Sequence, residues 1–169
     1  MSDNKTILLV EDCSDDVDLV TRLIWRYFGP AKSLHHCATM AEAEAYICTR
    51  GAELCVVLLD LGLPDTANPI DTFQRLKKYA VDVPLVILTG AQDHDLALRL
   101  MEEGAEDFIC KNQIFSAPDS LRNAIEFAVR RHELLRMTDK KAEDAKAEKD
   151  MLMSWMNGDY SVQKRGNDQ

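Results

Sequence analysis

The sequence predicts an α/β domain built on a doubly wound, five-stranded parallel sheet. Short apolar runs alternate five times with segments of helical periodicity, which is the pattern of repeated strand–helix units. The central runs are continuous and rich in Val and Leu, as expected of strands that are buried on both faces. With 169 residues, 46% of them hydrophobic, the chain is long enough for one such domain and a short appendage.

The composition limits the cellular compartments and the classes of partner that we expect for this chain. No apolar run could span a bilayer, and the N-terminus lacks the apolar core of a signal peptide, so we expect a cytoplasmic protein that does not act at a membrane. A net charge of −9 argues against a nucleic-acid partner, which would need a basic patch. The five cysteines lack CxxC spacing and mostly lie in apolar segments, which favours buried thiols over disulfides or a metal site.

The first strand–helix unit contains two pairs of acidic residues. The strand Thr6–Val10 is followed directly by Glu11-Asp12, and a helix then begins with Ser14 as its N-cap and stops at Gly29-Pro30. Asp15-Asp16 lies in the first turn of this helix, where acidic side chains interact favourably with the helix dipole. The dipole does not explain Glu11-Asp12, which precedes the helix.

The second unit begins with a weaker, edge-like strand over residues 34–38. Thr39 and Glu42 have the spacing of a capping box, and the helix that they start ends before Gly51. His35-His36 is predicted to be a surface pair, because no third metal ligand is spaced near it.

The third strand delivers one carboxylate to a turn. The apolar run Val56–Leu59 leads into Asp60, and Gly62 and Pro64 follow it. Ligands of open parallel sheets bind beyond the carboxyl ends of the strands, so Asp60 is the first candidate for chemistry. Asp is also a common turn residue, and other polar groups at the same edge must decide between the two explanations. A third helix then starts at Pro69.

The last two strands also end in polar residues. A strand over residues 83–88 delivers Thr89, and a helix follows from about residue 93 to residue 103. The short last strand over residues 107–110 leads into Lys111. Each of these strands therefore places a candidate functional side chain at the same edge.

These strand ends supply the parts of a phosphoryl-transfer site. If the first strand lies between the strands that end in Asp60 and Thr89, these residues converge with Glu11-Asp12 and Lys111 on one crevice. Three carboxylates need a counter-ion, and Mg2+ prefers oxygen ligands. One carboxylate would be the nucleophile, while the Lys111 ammonium and the Thr89 hydroxyl would neutralise phosphoryl oxygens.

In these motifs the chain resembles the receiver domains of two-component response regulators. The matching segments are the acidic pair, the aspartate with its Leu-Pro-Asp turn, a Thr-Gly pair and the last strand with its lysine: Glu11-Asp12, Asp60 with Leu63–Asp65, Thr89-Gly90 and Gly104–Lys111. The resemblance covers roughly residues 5 to 130. It implies a flavodoxin-like (βα)5 fold.

The resemblance also implies a chemical role for the acidic residues. Asp60 would accept a phosphoryl group from the phosphohistidine of a histidine kinase or a histidine phosphotransfer protein. Mg2+, or Mn2+, would be held by Asp12, Asp60 and the Gly62 backbone carbonyl, with Glu11 acting largely through water. Such a protein catalyses only its own phosphorylation and dephosphorylation and is not an enzyme in any other sense.

Three further residues match positions that respond to phosphorylation in this family. Thr89 and Lys111 would sense the phosphoryl group. Phe108 matches an aromatic switch position and would turn inward when Thr89 moves, although simple burial of a Phe on an edge strand explains it equally well. The chain departs from the family pattern at Asn112, where Pro and a cis peptide are usual, and at Asn68, which could adopt the left-handed conformation that Gly often supplies there.

A single helix is predicted from Asp119 or Ser120 to about Asn157, with Gly158 as its stop. We divide the chain into a receiver domain, a helical extension of the last receiver helix and a polar, disordered tail: residues 5–132, 133–157 and 158–169. The heptad pattern of the extension is weak and is broken by Lys149, so a solvated helix is favoured over a coiled coil. The apolar cluster Met151–Met156 (sequence MLMSWM) favours docking on a second copy of the chain or on another signalling protein.

The sequence therefore predicts a phosphoacceptor response regulator, without a catalytic or DNA-binding output domain, whose output is a contact with a downstream protein. One alternative is a constitutive interaction module, which the complete set of phosphorylation residues argues against. The other is a phosphatase of the haloacid-dehalogenase type. That chemistry needs a second carboxylate two residues after the nucleophile, where this chain has Gly62.

Overall fold

The sheet of the computed structural model, which describes residues 5–90 and 94–156, has five parallel strands in the order β2-β1-β3-β4-β5. The strands are β1 (Thr6–Val10), β2 (Leu34–Cys37), β3 (Leu54–Asp60), β4 (Leu85–Thr89) and β5 (Asp107–Cys110). The predicted α/β fold class is confirmed.

Six helices lie within the described ranges: α1 (Ser14–Phe28), α2 (Met40–Arg50), α3 (Pro69–Tyr79), α4 (His94–Glu102), α5 (Lys111–Ser116) and α6 (Asp119–Met156). Short 3-10 turns follow α1 and α2. The helix α5, directly after β5, was not predicted. The predicted start of α4 at Asp93, the stop at Gly158 and the tail 158–169 lie outside the described residues.

The strand order corrects one expectation. It is β3 that lies between two strands carrying site residues, because β3 pairs with β1 on one side and with β4 on the other. The expectation that the first strand lies between the strands ending in Asp60 and Thr89 is therefore wrong. All seven residues of β3 are buried, so this strand gains the most from a central place in the sheet. Asp60 consequently has a neighbouring strand end on each side.

The two faces of the sheet are covered by separate apolar clusters. Successive side chains of a strand point to opposite faces, so Leu8 contributes to one cluster and Leu9 to the other. The first cluster includes side chains of α2 and α3, and the second includes side chains of α1 and the beginning of α6. The strands are thereby fixed from both sides, and their carboxyl ends are left at the edge where the polar residues lie.

The helix starts agree only in part with the predicted caps. Ser14 is the first residue of α1 rather than its N-cap, and the N-cap Cys13 makes no side-chain hydrogen bond. The N–H of Cys13 donates to Glu11 Oε1 at 3.1 Å, so a carboxylate from the end of β1 binds the backbone of the N-cap residue. Thr39 caps α2 as predicted, with its Oγ1 accepting from the N–H of Glu42 at 3.3 Å. The return bond of the predicted capping box is shifted by one residue, because the Glu42 carboxylate accepts from the N–H of Ala38 at 2.8 Å.

The loop between β3 and α3 does not use a left-handed residue. Asn68 is extended, with φ of −167°, and its side chain accepts a hydrogen bond from the N–H of Asp71 at 3.0 Å. Capping α3 satisfies a free backbone donor at no cost in backbone strain, which explains why Asn68 stays extended. Pro69 begins α3 as predicted. Every described peptide bond is trans, including the bond to Asn112.

The cysteines and histidines correct two further expectations. All five cysteines are free, but only two are fully buried: Cys37 and Cys55 are buried, Cys110 is half-buried, and Cys13 and Cys48 are exposed. Burial raises the pKa of the Cys37 thiol to about 11. Of the two histidines in β2, His36 is exposed as expected, whereas His35 is half-buried and stacks on Tyr46 with 3.8 Å between ring centroids.

The chain divides into two units at His132-Glu133. The first unit contains the sheet. In the second, the structure describes residues 133–156, which are the last part of α6. Among the helices described, none combines the length and the apolar character that a membrane span requires.

Candidate functional site

The carboxyl ends of β1 and β3 bring three carboxylates together. One oxygen each from Glu11, Asp12 and Asp60 lies within 4.8 Å of the other two. Glu11 and Asp60 are buried, at 0% and 5% exposure, whereas Asp12 is exposed. Two of the three carboxylates are therefore shielded from solvent, and solvent reaches the cluster at Asp12.

A single ammonium group neutralises part of this cluster. Lys111, the first residue after β5, places Nζ at 2.7 Å from Glu11 Oε2, 2.9 Å from Asp60 Oδ1 and 2.8 Å from Asp16 Oδ2. The three donors of an ammonium thus face three carboxylates. Burial by itself would lower the pKa of Lys111, but hydrogen bonds to Asp16, Asp60 and Glu11 outweigh it and raise the pKa above its ordinary value. Lys111 therefore stays charged at physiological pH.

Glu11 is the carboxylate with the greatest unmet demand for a partner. Burial raises the pKa of its carboxyl above the ordinary value despite the neighbouring Lys111 ammonium, and the negative charge of Asp60 adds to the rise. Its Oε2 lies 2.7 Å from the Lys111 ammonium. A further cation beside this buried carboxyl would favour its ionised form.

The donor set fits a hard divalent cation. It consists of carboxylate oxygens, which Mg2+ and Mn2+ prefer, and the exposed position of Asp12 leaves room for retained water. The balance of charge also favours a cation. When all are ionised, the single positive charge of Lys111 faces four negative charges, those of Glu11, Asp12, Asp16 and Asp60. A divalent cation would offset much of the remainder.

Gly62 places the backbone against the Asp60 carboxylate. Its N–H donates to Asp60 Oδ2 at 2.6 Å, and a Cβ at position 62 would lie 3.0 Å from the same oxygen. A side chain there would press on the carboxylate, so the close approach favours glycine.

The loop that carries Gly62 is tied to α2. The Asp65 carboxylate accepts hydrogen bonds from the N–H groups of Met40 and Ala41, at 2.9 and 3.0 Å. Burial opposes ionisation of Asp65, but these backbone donors outweigh it and lower the pKa of the carboxyl. Thr72, which is fully buried in α3, donates to the backbone carbonyl of Leu61 at 3.1 Å. The loop is thus held on two sides.

Thr89 and Phe108 lie on the same face of the sheet. Phe108 pairs with Ile87, two residues before Thr89, and residues two apart on a strand share a face. Thr89 is buried at the end of β4, while Phe108 is half-buried and packs on the cluster that includes α2 and α3. Thr89 and Phe108, the two residues predicted to respond to phosphorylation, therefore lie on neighbouring strands two register positions apart.

Sequence reasoning missed Asp16 as part of the site. It was explained by the helix dipole, yet the structure places it on Lys111, 95 residues away in the chain. The helical spacing could have indicated that Asp16 faces the protein interior, because it shares one face of α1 with the buried residues Val20 and Leu23. Asp15 falls on the exposed side.

Sequence comparison identifies relatives over most of the first unit. The profile of the response regulator receiver domain family matches residues 7–126. The regulatory protein LuxO of Vibrio cholerae is 35% identical over 118 residues, which are 69% of this chain and 25% of LuxO. The phosphate regulon transcriptional regulatory protein PhoB of Pseudomonas aeruginosa is 38% identical over 72 residues, 41% of this chain and 30% of PhoB. These matches cover about a quarter to a third of the relatives' length.

Solved structures show the same fold. The signal receiver domain of a putative LuxO repressor protein from Vibrio parahaemolyticus has a TM-score of 0.66 and 25% identity, over 80% of this chain and 97% of that one. A response regulator receiver domain protein from Clostridium thermocellum has a TM-score of 0.66 and 24% identity, over 78% and 98% of the two chains.

Proposed function

The chain belongs to the response regulator receiver domain family, and from that membership we propose that it is a phosphoacceptor of a two-component system whose Asp60 is phosphorylated by a histidine kinase or a histidine phosphotransfer protein. Its homologues are response regulators of such systems. The observation that carries the proposal is the position of Lys111 Nζ, 2.9 Å from Asp60 Oδ1 and 2.7 Å from Glu11 Oε2, at the carboxyl edge of the sheet. This contact supports the proposal, because the Lys111 ammonium would neutralise charge beside the proposed nucleophile and the proposed metal ligands.

The proposed step is a transfer between two proteins. A carboxylate oxygen of Asp60 attacks the phosphorus of the partner's phosphohistidine, and the P–N bond breaks as the P–O bond forms. The imidazole leaves with the electron pair and takes its proton from solvent, so that Asp60 becomes an acyl phosphate. Lys111 lies beside the attacking carboxylate and neutralises charge on a phosphoryl oxygen. Thr89 supplies a hydroxyl to another phosphoryl oxygen.

We assign Mg2+ or Mn2+ to Glu11, Asp12, Asp60 and the backbone carbonyl of Gly62. The grouping of the three carboxylates and the surplus of negative charge support this assignment. The cation, when bound, neutralises the negative charge of the transferring phosphoryl group. The Gly62 N–H donates to Asp60 Oδ2, so the backbone of residue 62 adjoins the proposed nucleophile, and its carbonyl would be the main-chain ligand.

The output would be a protein contact controlled by Thr89 and Phe108. Phosphorylation shifts a pre-existing equilibrium in which Phe108 moves further inward as Thr89 is drawn to the phosphoryl group. The partly buried position of Phe108 on an edge strand leaves it room for both states. We assign residues 5–132 to this receiver function and residues 133–157 to a helical extension that binds a downstream signalling protein or a second copy.

The proposal is tested by the intact mass of the full chain after incubation with Mg2+ and acetyl phosphate. We expect one phosphoryl adduct on the wild type, none on Asp60→Asn and none without the divalent cation. Asp15→Asn is the matched control, because it makes the same change at an exposed aspartate in α1 and should keep the adduct. A folded wild type that binds Mg2+ and gains no adduct would make the chain a constitutive interaction module instead.

A further inference from the structure

One of the three carboxylates on Lys111 stands apart from the candidate metal cluster. Glu11 and Asp60 belong to that cluster together with Asp12, whereas Asp16 contacts the Lys111 ammonium at 2.8 Å from the first turn of α1. We propose that Asp16 is a positioning residue, which holds the Lys111 ammonium beside Asp60 while the phosphoryl group is transferred. This inference rests on the function proposed above.

The other two contacts of Lys111 change in the course of the reaction. One oxygen of Asp60 becomes part of the P–O bond, so this side chain no longer offers a free carboxylate. Glu11 would share its negative charge with a bound cation. Asp16 has neither task, because it lies outside the candidate metal cluster and forms no bond to phosphorus. It is therefore the partner that can restrain the long, flexible lysine side chain from the start of the reaction to its end.

The local structure is suited to this restraint. Asp16 is fixed by a helix whose same face is buried through Val20 and Leu23, and Lys111 is the first residue of α5. Both side chains are largely shielded, at 21% exposure for Asp16 and 15% for Lys111. Partial desolvation strengthens such a charge-assisted hydrogen bond. Asp16 thus acts on the phosphoryl group only through Lys111.

The first test compares Asp16→Asn with Asp15→Asn in the full chain. Both changes remove one negative charge from the same helical turn, but only Asp16 contacts Lys111. At saturating Mg2+ and acetyl phosphate, we expect the phosphorylation rate constant of Asp16→Asn to fall on the order of tenfold, as for loss of one charge-assisted contact in a transition state. Asp15→Asn should stay within about twofold of the wild type. Asp16→Glu, which retains a carboxylate, should recover part of the rate.

A second readout does not depend on phosphorylation or on a metal. In the metal-free protein, acetic anhydride should acetylate Lys111 severalfold faster in Asp16→Asn than in the wild type or Asp15→Asn, measured by peptide mass spectrometry against the other lysines. Thermal unfolding of each variant shows that the fold is retained.

The outcomes separate this inference from the proposed function. Equal phosphorylation rates for Asp16→Asn and Asp15→Asn would overturn the role of Asp16 while Asp60 remained the phosphoacceptor. A slower Asp16→Asn whose Lys111 acetylates at the wild-type rate would overturn it as well, because the loss would then not act through Lys111. A wild type that gains no adduct would overturn both proposals.

Discussion

Residues 119–132 and 133–156 belong to one continuous helix, α6, but different forces stabilise them. The first segment buries five side chains, namely Leu121, Ala124, Ile125, Ala128 and Val129. In the second segment every residue from Leu134 to Met156 is exposed, so the helix there depends on the local helix propensity of its residues. The comparison teaches that a continuous helix can have its stability set by tertiary burial in one part and by local sequence in another.

The largest expected difference in stability between the two segments comes from replacing one alanine in each of them by aspartate. Ala128 is 0% exposed and Ala142 is exposed. Because a buried carboxylate without a partner is strongly unfavourable, Ala128→Asp should lower the free energy of unfolding by about 4 kcal/mol or more. Ala142→Asp should change it by less than about 1 kcal/mol. Urea denaturation of both variants measures the difference, and similar losses would show that the two segments are not distinct.

Replacing one leucine in each segment by alanine should give the next largest difference in the free energy of unfolding. Leu121 is 1% exposed and Leu135 is 54% exposed. Leu121→Ala leaves a cavity among packed side chains and should cost about 3 kcal/mol, whereas Leu135→Ala should stay within roughly 0.5 kcal/mol. Thermal and urea unfolding of the two variants provide the values. A cost at Leu135 equal to that at Leu121 would mean that the second segment is also packed in solution.

A glycine in the exposed segment should act only locally. Ala145→Gly should cost about 1 kcal/mol of local helix stability, seen as weaker far-UV circular dichroism and faster hydrogen exchange near residue 145. Because residues 133–156 bury no apolar side chain, the midpoint of the cooperative unfolding transition should not move. A shift of that midpoint as large as the one for Ala124→Gly, which alters a buried position, would contradict the comparison.

The smallest effect is a pH dependence confined to the first unit. Because burial raises the pKa of Glu11 above its ordinary value of 4.5, the folded protein holds this proton more tightly than the unfolded chain. Its stabilising contribution is therefore present below pH 4.5 and is lost as the pH rises through the folded pKa. The metal-free wild type should lose more stability over that rise than Glu11→Gln, which cannot titrate. Equal dependence of stability on pH in the two proteins would show that folding does not raise the pKa of Glu11.

Much of the fold was predictable because its signals are local. An apolar run predicts a buried strand, and the next polar residue predicts what that strand delivers, which was sufficient to find Asp60 and Lys111. The order of the strands is not a local property, and local patterns alone did not show that β3, rather than β1, lies between two strands with site residues. The exact start of α1 was also missed by one residue, since Cys13 and not Ser14 is the N-cap.

The site was harder to predict where its contacts join distant parts of the chain. Asp16 has an adequate local explanation in the helix dipole, and its contact with Lys111 appears only when α1 and β5 are placed in space. The anchoring of the β3–α3 loop through Asp65 depends in the same way on where α2 begins. Composition could not reveal either arrangement, because exposed acidic residues are common throughout this chain.

The contacts of Lys111 also bear on when the protein can become functional during its synthesis. They join segments that are 95 residues apart in the chain, so the entropy of closing this long loop must be overcome before they form. A nascent chain that has completed β1, α1 and β3 already carries every carboxylate of the site but not the lysine. Under the proposed function, a partly synthesised chain without β5 would lack the lysine beside its carboxylates, so the complete site would form only after the last strand has paired.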